Sequence, residues 1–389
     1  GSGGGILTTD GAVTITGTMI DGNAANRAGG GVEIVAGTLD ITNASLIGNK
    51  ADIAAGTPNP GNGGGVHVTA AATINITGST LTNNEAASEG GGLWNGTGTM
   101  TVTATTITGN TANGDATGGG GIFNNGGILN VDAATDLTAN VAMGATPGGR
   151  GGALFNNTGG TLNIATGSTI SGNYASRAGG AIEDASGNTL VLDAITLENN
   201  SAGVDIGLGT MANPGNGGAV HLSGMTNATI SNSTIQNNKA AQEGGGLWNN
   251  LGIMTVEETL LTENTASGIL ADDGGGALFN NGGTMNVLAG TEITNNTADG
   301  TAGSGGGIHS TDGDVTVTDA IITNNIANRA GGGIEIDLGV FTDSWNGEKM
   351  SAYQNYLGGG ILGAIGNDCT IRDWEVDDKL VDISKHLSM

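Results

Sequence analysis

Glutamate and histidine recur side by side in one column of this sequence: Glu33 with His67, Glu183 with His221, and His309 with Glu335. A carboxylate beside an imidazole is the smallest kit for general acid/base chemistry, and the same pair can act as a pH-sensitive surface ion pair. Between these residues the column carries Trp94, Phe123, Phe155, Trp248 and Phe279. Rings repeated in register do one of two things. They stack as mortar between layers, or they form a platform for a sugar ring or a partner surface. Of the six aromatics in residues 1–336, only Tyr174 lies outside the column.

The column exists because the chain repeats. Each of its residues follows an aliphatic that ends a glycine pair or triplet, as in Glu243-Gly244-Gly245-Gly246-Leu247-Trp248-Asn249-Asn250. That aliphatic recurs at Ile6, Val32, Val66, Leu93, Ile122, Leu154, Ile182, Val220, Leu247, Leu278, Ile308 and Ile334. The span from 6 to 334 is 328 residues in 11 steps, or about thirty per step. A fixed period of this size is the signature of a solenoid, whose repeats touch only their neighbours.

Within a repeat, three short strands are legible. Gly30-Gly31-Val32-Glu33-Ile34 holds the first, Gly37-Thr38-Leu39-Asp40-Ile41 the second, and Leu46-Ile47-Gly48-Asn49 closes the third. Period-2 alternation, β-branched residues and Gly/Asn punctuation argue strand and turn, and no stretch before residue 337 has helical periodicity. Such coils make an all-β, right-handed parallel β-helix of about twelve coils. At about 4.8 Å per coil the rod is roughly 55 Å long. Asn23, Asn49, Asn84, Asn110, Asn140, Asn173, Asn200, Asn238, Asn264, Asn296 and Asn325 each follow an Ile or Leu by three residues and precede an Ala by two. Asparagine tolerates the left-handed conformation of a tight turn, and its amide can bond to its copy in the next coil, so these residues read as a structural ladder.

Gly-Gly-Ala-Leu at 151–154 and 275–278, Gly-Gly-Ala-Ile at 179–182, and the (Ile/Leu)-x-x-Asn signal resemble the repeats of the polymorphic outer-membrane protein family over residues 3–336. That resemblance implies a right-handed parallel β-helix displayed on a bacterial surface. Ile or Leu stands here where the family has Phe, and the C-terminal translocator barrel of that family is not seen.

A longer repeat is superposed on the short one. Asn26-Arg27-Ala28-Gly29 returns at 176–179 as Ser-Arg-Ala-Gly and at 328–331, and Asn59-Pro60-Gly61-Asn62 returns at 213–216. Five coils are therefore duplicated as a block, at 32–181 and 182–333, with looped insertions before Val66 and Val220. The repeat domain is expected to be 1–336. Residues 337–389 read as a divergent C-terminal cap or appended segment. In it, Gly358-Gly359-Gly360-Ile361 is a degenerate thirteenth glycine phrase, and Asp373 caps an amphipathic helix carrying Trp374, Val376, Leu380, Ile383 and Leu387.

Composition narrows the function classes. Net charge is −26 with only ten Lys and Arg, which disfavours nucleic acid and anionic membrane as partners. No run of apolar residues is long enough to span a bilayer. One cysteine, Cys369, excludes an intrachain disulfide or a cysteine zinc cluster. No cofactor is expected beyond loose binding of a divalent cation such as calcium by scattered carboxylates. Alternation turns the column outward. The expected role is therefore a non-catalytic, secreted or cell-surface module whose aromatic column meets a glycan or a protein. Self-assembly as a surface-layer or filament subunit is one alternative. A polysaccharide lyase or hydrolase on the same fold is the other; it wants clustered carboxylates in one groove, and Asp272-Asp273 is the nearest candidate.

Overall fold

The computed structural model describes residues 1–52, 61–145, 147–204 and 214–344, with the pairs 356–357, 375–376 and 379–380. The chain winds into a parallel β-solenoid. Third strands stack into an 11-stranded sheet, from Met19–Asp21 to Ile321–Thr323, and a twelfth coil begins at Ile334–Ile336. We number the coils 1 to 12 from Ile6 to Ile334. The inter-coil pairings are parallel, with Val32 on Val66, Leu93 on Ile122 and Leu154 on Ile182.

Coils 1 to 9 each have four strands, one more than the sequence reading distinguished. The fourth has two residues and holds the small residue of the Asn-x-Ala signal. It runs from Ala24–Ala25 to Ile326–Ala327 in a 12-stranded sheet that ends on Tyr356–Leu357. Its alanines, among them Ala86, Ala112, Ala142, Ala240 and Ala266, are fully buried, because the corner leaves room only for a methyl group. In coils 10 and 11 the first and second strands run together as Leu278–Val287 and Ile308–Thr318, with a shift in register after Asn280.

Aliphatic residues from the first three strands fill the interior. Val32, Ile34, Leu39, Ile41 and Leu46 of coil 2 are wholly buried, and the positions of Val32, Leu39, Ile41 and Leu46 stay apolar along the rod. Burying one such side chain contributes about 1.5–3 kcal/mol, so each coil is held chiefly by the coils above and below it. The asparagine ladder forms without a break. Asn49 Nδ2 donates to Asn84 Oδ1 at 2.9 Å, Asn84 to Asn110 at 2.9 Å, and the series continues through Asn140, Asn173, Asn200, Asn238, Asn264 and Asn296 to Asn325. The second amide hydrogen donates to the preceding coil's third strand, as from Asn84 to Leu46 O at 2.9 Å. One detail differs from expectation. The left-handed residue is the one before each ladder asparagine, for example Gly48 (φ 61), Asn83 (φ 54), Ala139 (φ 52) and Glu263 (φ 56). The ladder residue keeps its own N–H directed at the next Oδ1, as from Asn84 to Asn110 at 3.0 Å.

Parallel pairing also passes Ile336. Phe341–Ser344 lies on coil 11 with Val315 opposite Phe341. The insertions before Val66 and Val220 fall mostly outside the described residues, at 53–60 and 205–213, as do the glycine phrase at 358–361 and most of the helix anticipated from Asp373. The described part of that segment is not helical: Glu375–Val376 pairs antiparallel with Lys379–Leu380.

Candidate functional site

The column of catalytic and aromatic candidates lies on the first strand of each coil. Alternation does turn it away from the aliphatic interior, and Trp94, Phe123 and Phe155 form a cluster of their own. It does not turn it into water. Relative exposure is 7% for Trp94, 1% for Phe123, 5% for Phe155, 6% for Trp248 and 1% for Phe279. Glu33, His67, Glu183, His221, His309 and Glu335 are buried too. The expected outward platform is thus corrected, and the reason is the glycine turn. Gly90 (φ 65) and Gly244 (φ 63) reverse the chain so that residues before the glycines lie over the strand's outer face. A Cβ on Gly90 would stand 3.0 Å from the Trp94 Cβ, and one on Gly244 3.1 Å from the Trp248 Cβ.

This covering brings together a cluster that occurs twice. In the first copy, His67 Nδ1 meets Glu33 Oε2 at 2.8 Å and Thr69 Oγ1 donates to Glu33 Oε1 at 2.5 Å. His67 stacks on Trp94 with centroids 4.3 Å apart, and Trp94 Nε1 donates to Glu89 Oε2 at 2.9 Å. Asn62 Nδ2 donates to the same oxygen at 3.1 Å. In the second copy, His221 Nδ1 meets Glu183 Oε2 at 2.7 Å and Ser223 Oγ donates to Glu183 Oε1 at 2.5 Å. His221 stacks on Trp248 at 4.2 Å, and Glu243 Oε2 accepts from Trp248 Nε1 at 2.9 Å and Asn216 Nδ2 at 2.8 Å. Glu33 and Glu183 Oε2 are hydrogen-bonded when the facing Nδ1 carries the proton, which fixes that tautomer or the imidazolium. Further rings continue both stacks, with Trp94 and Phe123 at 6.3 Å and Trp248 and Phe279 at 6.2 Å.

The third Glu–His neighbour pair does not form. His309 Nε2 turns to Asp337 Oδ2 at 3.2 Å, and its ring meets Phe279 edge-on at 5.2 Å. Glu335 is left with Arg329 at 3.7 Å, and neither of its oxygens has a hydrogen-bond donor. The expectation of surface ion pairs is likewise corrected, since all three histidines are buried under the same turns.

Charge responds to this burial. Burial pushes the Glu89 carboxyl up against the opposing pull of Trp94, His67 and Asn62. Burial, with Asp273 and Asp272 nearby, raises Glu243 to about 7, although Trp248 and Asn216 oppose it. Burial and Asp337 raise Glu335 to about 7 as well, with Arg329 opposing. Glu183 goes the other way. Burial pushes it up, but His221, Arg150 (Nη1 at 3.4 Å) and Ser223 outweigh that and hold it low.

Several members escaped the sequence reading: Glu89, Glu243, Asn62, Asn216, Thr69 and Ser223. For Glu89 and Glu243 the signal was present in the repeated Glu-Gly-Gly-Gly-Leu-Trp-Asn at 89–95 and 243–249, and for Asn62 and Asn216 in the repeated Asn-Pro-Gly-Asn. A second buried ladder, on the inner side of the first strand, was also missed. Asn95 donates to Asn124 at 2.8 Å, Asn124 to Asn156 at 2.8 Å, Asn156 to Asp184 at 2.9 Å and Asn249 to Asn280 at 2.9 Å. Chemically, the column is a set of stacked rings and internal hydrogen bonds whose imidazoles and paired carboxylates Glu33 and Glu183 are buried among the described residues. Among the described residues, no group of three or more His, Cys, Asp or Glu is arranged to hold a metal ion, and no helix is long and apolar enough to cross a membrane. Compared with known proteins, the chain matches no family model, no curated protein and no solved structure.

Proposed function

We propose that this chain is a non-catalytic structural rod that works at the cell surface or outside the cell, holding its outer faces toward a glycan, a protein or further copies of itself. The observation that carries this reading is where its most chemically capable side chains are spent. The rings, the Glu–His pairs and the buried asparagines are bonded to one another from coil to coil, and this rigidifies the molecule rather than equipping a cleft. Resemblance of the glycine–aliphatic–asparagine repeat to the polymorphic outer-membrane family supports surface display. High acidity with few basic residues suits an exterior setting. The experiment is a glycan array together with polysaccharide turnover assays on the purified chain. Binding without turnover, unaffected by Trp94→Ala in protein that remains folded, is expected. Turnover abolished by one substitution in a folded variant would make the protein an enzyme.

Self-association is the second reading, and it rests on one feature. Met225, Leu251 and Ile253 are 72%, 55% and 47% exposed on adjoining coils of the second block. Sedimentation velocity across a concentration series tests it: a monomer at every concentration discards the filament role.

A further inference from the structure

The outward residues of the second strands in coils 1 to 4 form a regular lattice facing solvent. Thr16, Thr42, Thr77 and Thr103 stand in one unbroken column, because each pairs with the next across neighbouring coils. Thr38, Thr73 and Thr99 make a second column, and Thr14, Asp40, Asn75 and Thr101 run between the two. Along the chain these threonines look scattered; the register gathers them. Neighbours in a column are about 4.8 Å apart, and alternate residues of one strand are about 6.6 Å apart. None of these residues is buried. The backbone beneath them is fixed by pairing within a six-stranded sheet and by the wholly buried Leu39, Ile41, Ile74, Ile76, Met100 and Val102.

The chemistry of this face narrows its partner. Hydroxyls of Thr73, Thr77, Thr99 and Thr103 make no hydrogen bond among the described residues, so their donors and acceptors are left for solvent. Asp40 is the one carboxylate of the lattice, and Asn75 Nδ2 donates to its Oδ1 at 2.8 Å. A chain of net charge −26 thus presents a nearly neutral surface here, with little for a charged partner to pair with. A sugar finds no ring to stack on, since all six aromatic side chains of residues 1–336 are buried. The lattice stops at coil 5, where Ile128 follows Thr99. In the second block the same places hold Val191, Asp193, Ile253 and Glu257.

We propose that the threonine lattice of coils 1 to 4 is an ice-binding face, whose ligand is crystalline water and not the glycan, protein or second copy considered for the rod's other surfaces. Ordered water needs neither charge nor rings. Threonine methyls at fixed intervals organise the water above them, and the free hydroxyls donate to and accept from that layer. Both lattice spacings are close to repeat distances of ice, so one rigid sheet holds many water sites at once without ordering any part of the protein.

Partition of the full chain into a slowly growing ice front tests the idea, together with recrystallisation of frozen films and an unrelated soluble protein as reference. The wild-type chain should enter the ice and keep its grains small, while the reference is excluded. Asn75→Tyr plants a bulky ring in the middle of the lattice and should drop both readouts to the reference level in protein that keeps its melting transition. Thr229→Tyr should behave as wild type, because Thr229 stands as far from Val220 as Asn75 does from Val66, on the second block. Thr101→Tyr, one coil on, takes the place of Asn75→Tyr if that variant does not fold. Exclusion of the wild-type chain from ice, equal losses in the Asn75 and Thr229 variants, or no loss in the Asn75 variant overturns the proposal. Retention on crystalline cellulose without entry into ice also overturns it and makes the face a polysaccharide surface.

Discussion

Glu33–His67–Trp94–Glu89 in the first block and Glu183–His221–Trp248–Glu243 in the second repeat one another contact for contact, with the corresponding distances agreeing to about 0.1 Å. Their exteriors do not. In coils 3 and 4 the outward residues of the second and third strands are Thr73, Asn75, Thr77, Thr80 and Thr82, then Thr99, Thr101, Thr103, Thr106 and Thr108. In coils 8 and 9 they are Asn227, Thr229, Ser231, Thr234 and Gln236, then Ile253, Thr255, Glu257, Leu260 and Thr262. The two sets of coils thus share a buried column and differ in their outer faces, hydroxyl-rich in coils 3 and 4 and more apolar and acidic in coils 8 and 9. The lesson is that the column obeys the demands of stacking, and any difference in what the two halves bind has to come from the outer positions.

The sharpest challenge to that equivalence is Trp94→Ala beside Trp248→Ala. Each removes a buried indole from the same surroundings and should cost about 3–5 kcal/mol in denaturant unfolding. A gap between the two of more than about 1 kcal/mol would show that the blocks are not energetic twins. Next come Asn110→Ala and Asn264→Ala. Each deletes an Oδ1 that serves a backbone N–H at 3.0 Å, together with the donor to Leu81 O or Ile235 O. An orphaned buried group costs about 1–3 kcal/mol, so a loss of about 2–4 kcal/mol is expected at either site. Glu33→Gln and Glu183→Gln should part company, because Arg150 reaches only Glu183. The second should be the more harmful by about 1 kcal/mol, and the additional Arg150→Ala change should remove the difference.

Dependence on pH runs with opposite signs at different buried carboxyls of the second half of the rod. Glu243 and Glu335, raised in the fold to about 7, add stability that is complete below the ordinary carboxyl range, declines as pH rises, and is gone above about 7. Glu183, held low, adds stability that is present above the ordinary range and disappears as acid protonates it. Stability should therefore peak in mild acid, and Glu243→Gln should flatten the alkaline limb of a melting-temperature profile more than Glu89→Gln. Smallest of all, Ile253→Thr gives the second block a first-block surface. It should change stability by no more than about 0.5 kcal/mol while weakening any self-association.

Much of this molecule is written locally. The thirty-residue period, the alternation of Leu39-Asp40-Ile41 and the Ala two residues after each ladder Asn all depend on neighbours in sequence, and each corresponds to a strand, a buried row or a corner. Burial of the Trp94 column was illegible for a matching reason. Alternation says which side of the sheet a residue takes, but not whether another piece of chain covers that side. Covering here comes from a left-handed glycine that sets Glu89 against Trp94, a relation of five residues belonging to neither strand nor helix periodicity. The failed pairing of His309 with Glu335 turns on Asp337, which lies beyond the last regular coil where the pattern had no precedent.

The asparagine ladder has a further consequence. Every rung from Asn23 to Asn325 passes its hydrogen the same way, from amide to the oxygen of the following coil. The rod therefore has a grain. Its two ends differ as a donor end differs from an acceptor end, and a coil spliced in upside down would meet oxygen with oxygen. Lengthening or shortening such a protein should succeed only in whole coils laid head to tail, the one direction in which the grain runs unbroken.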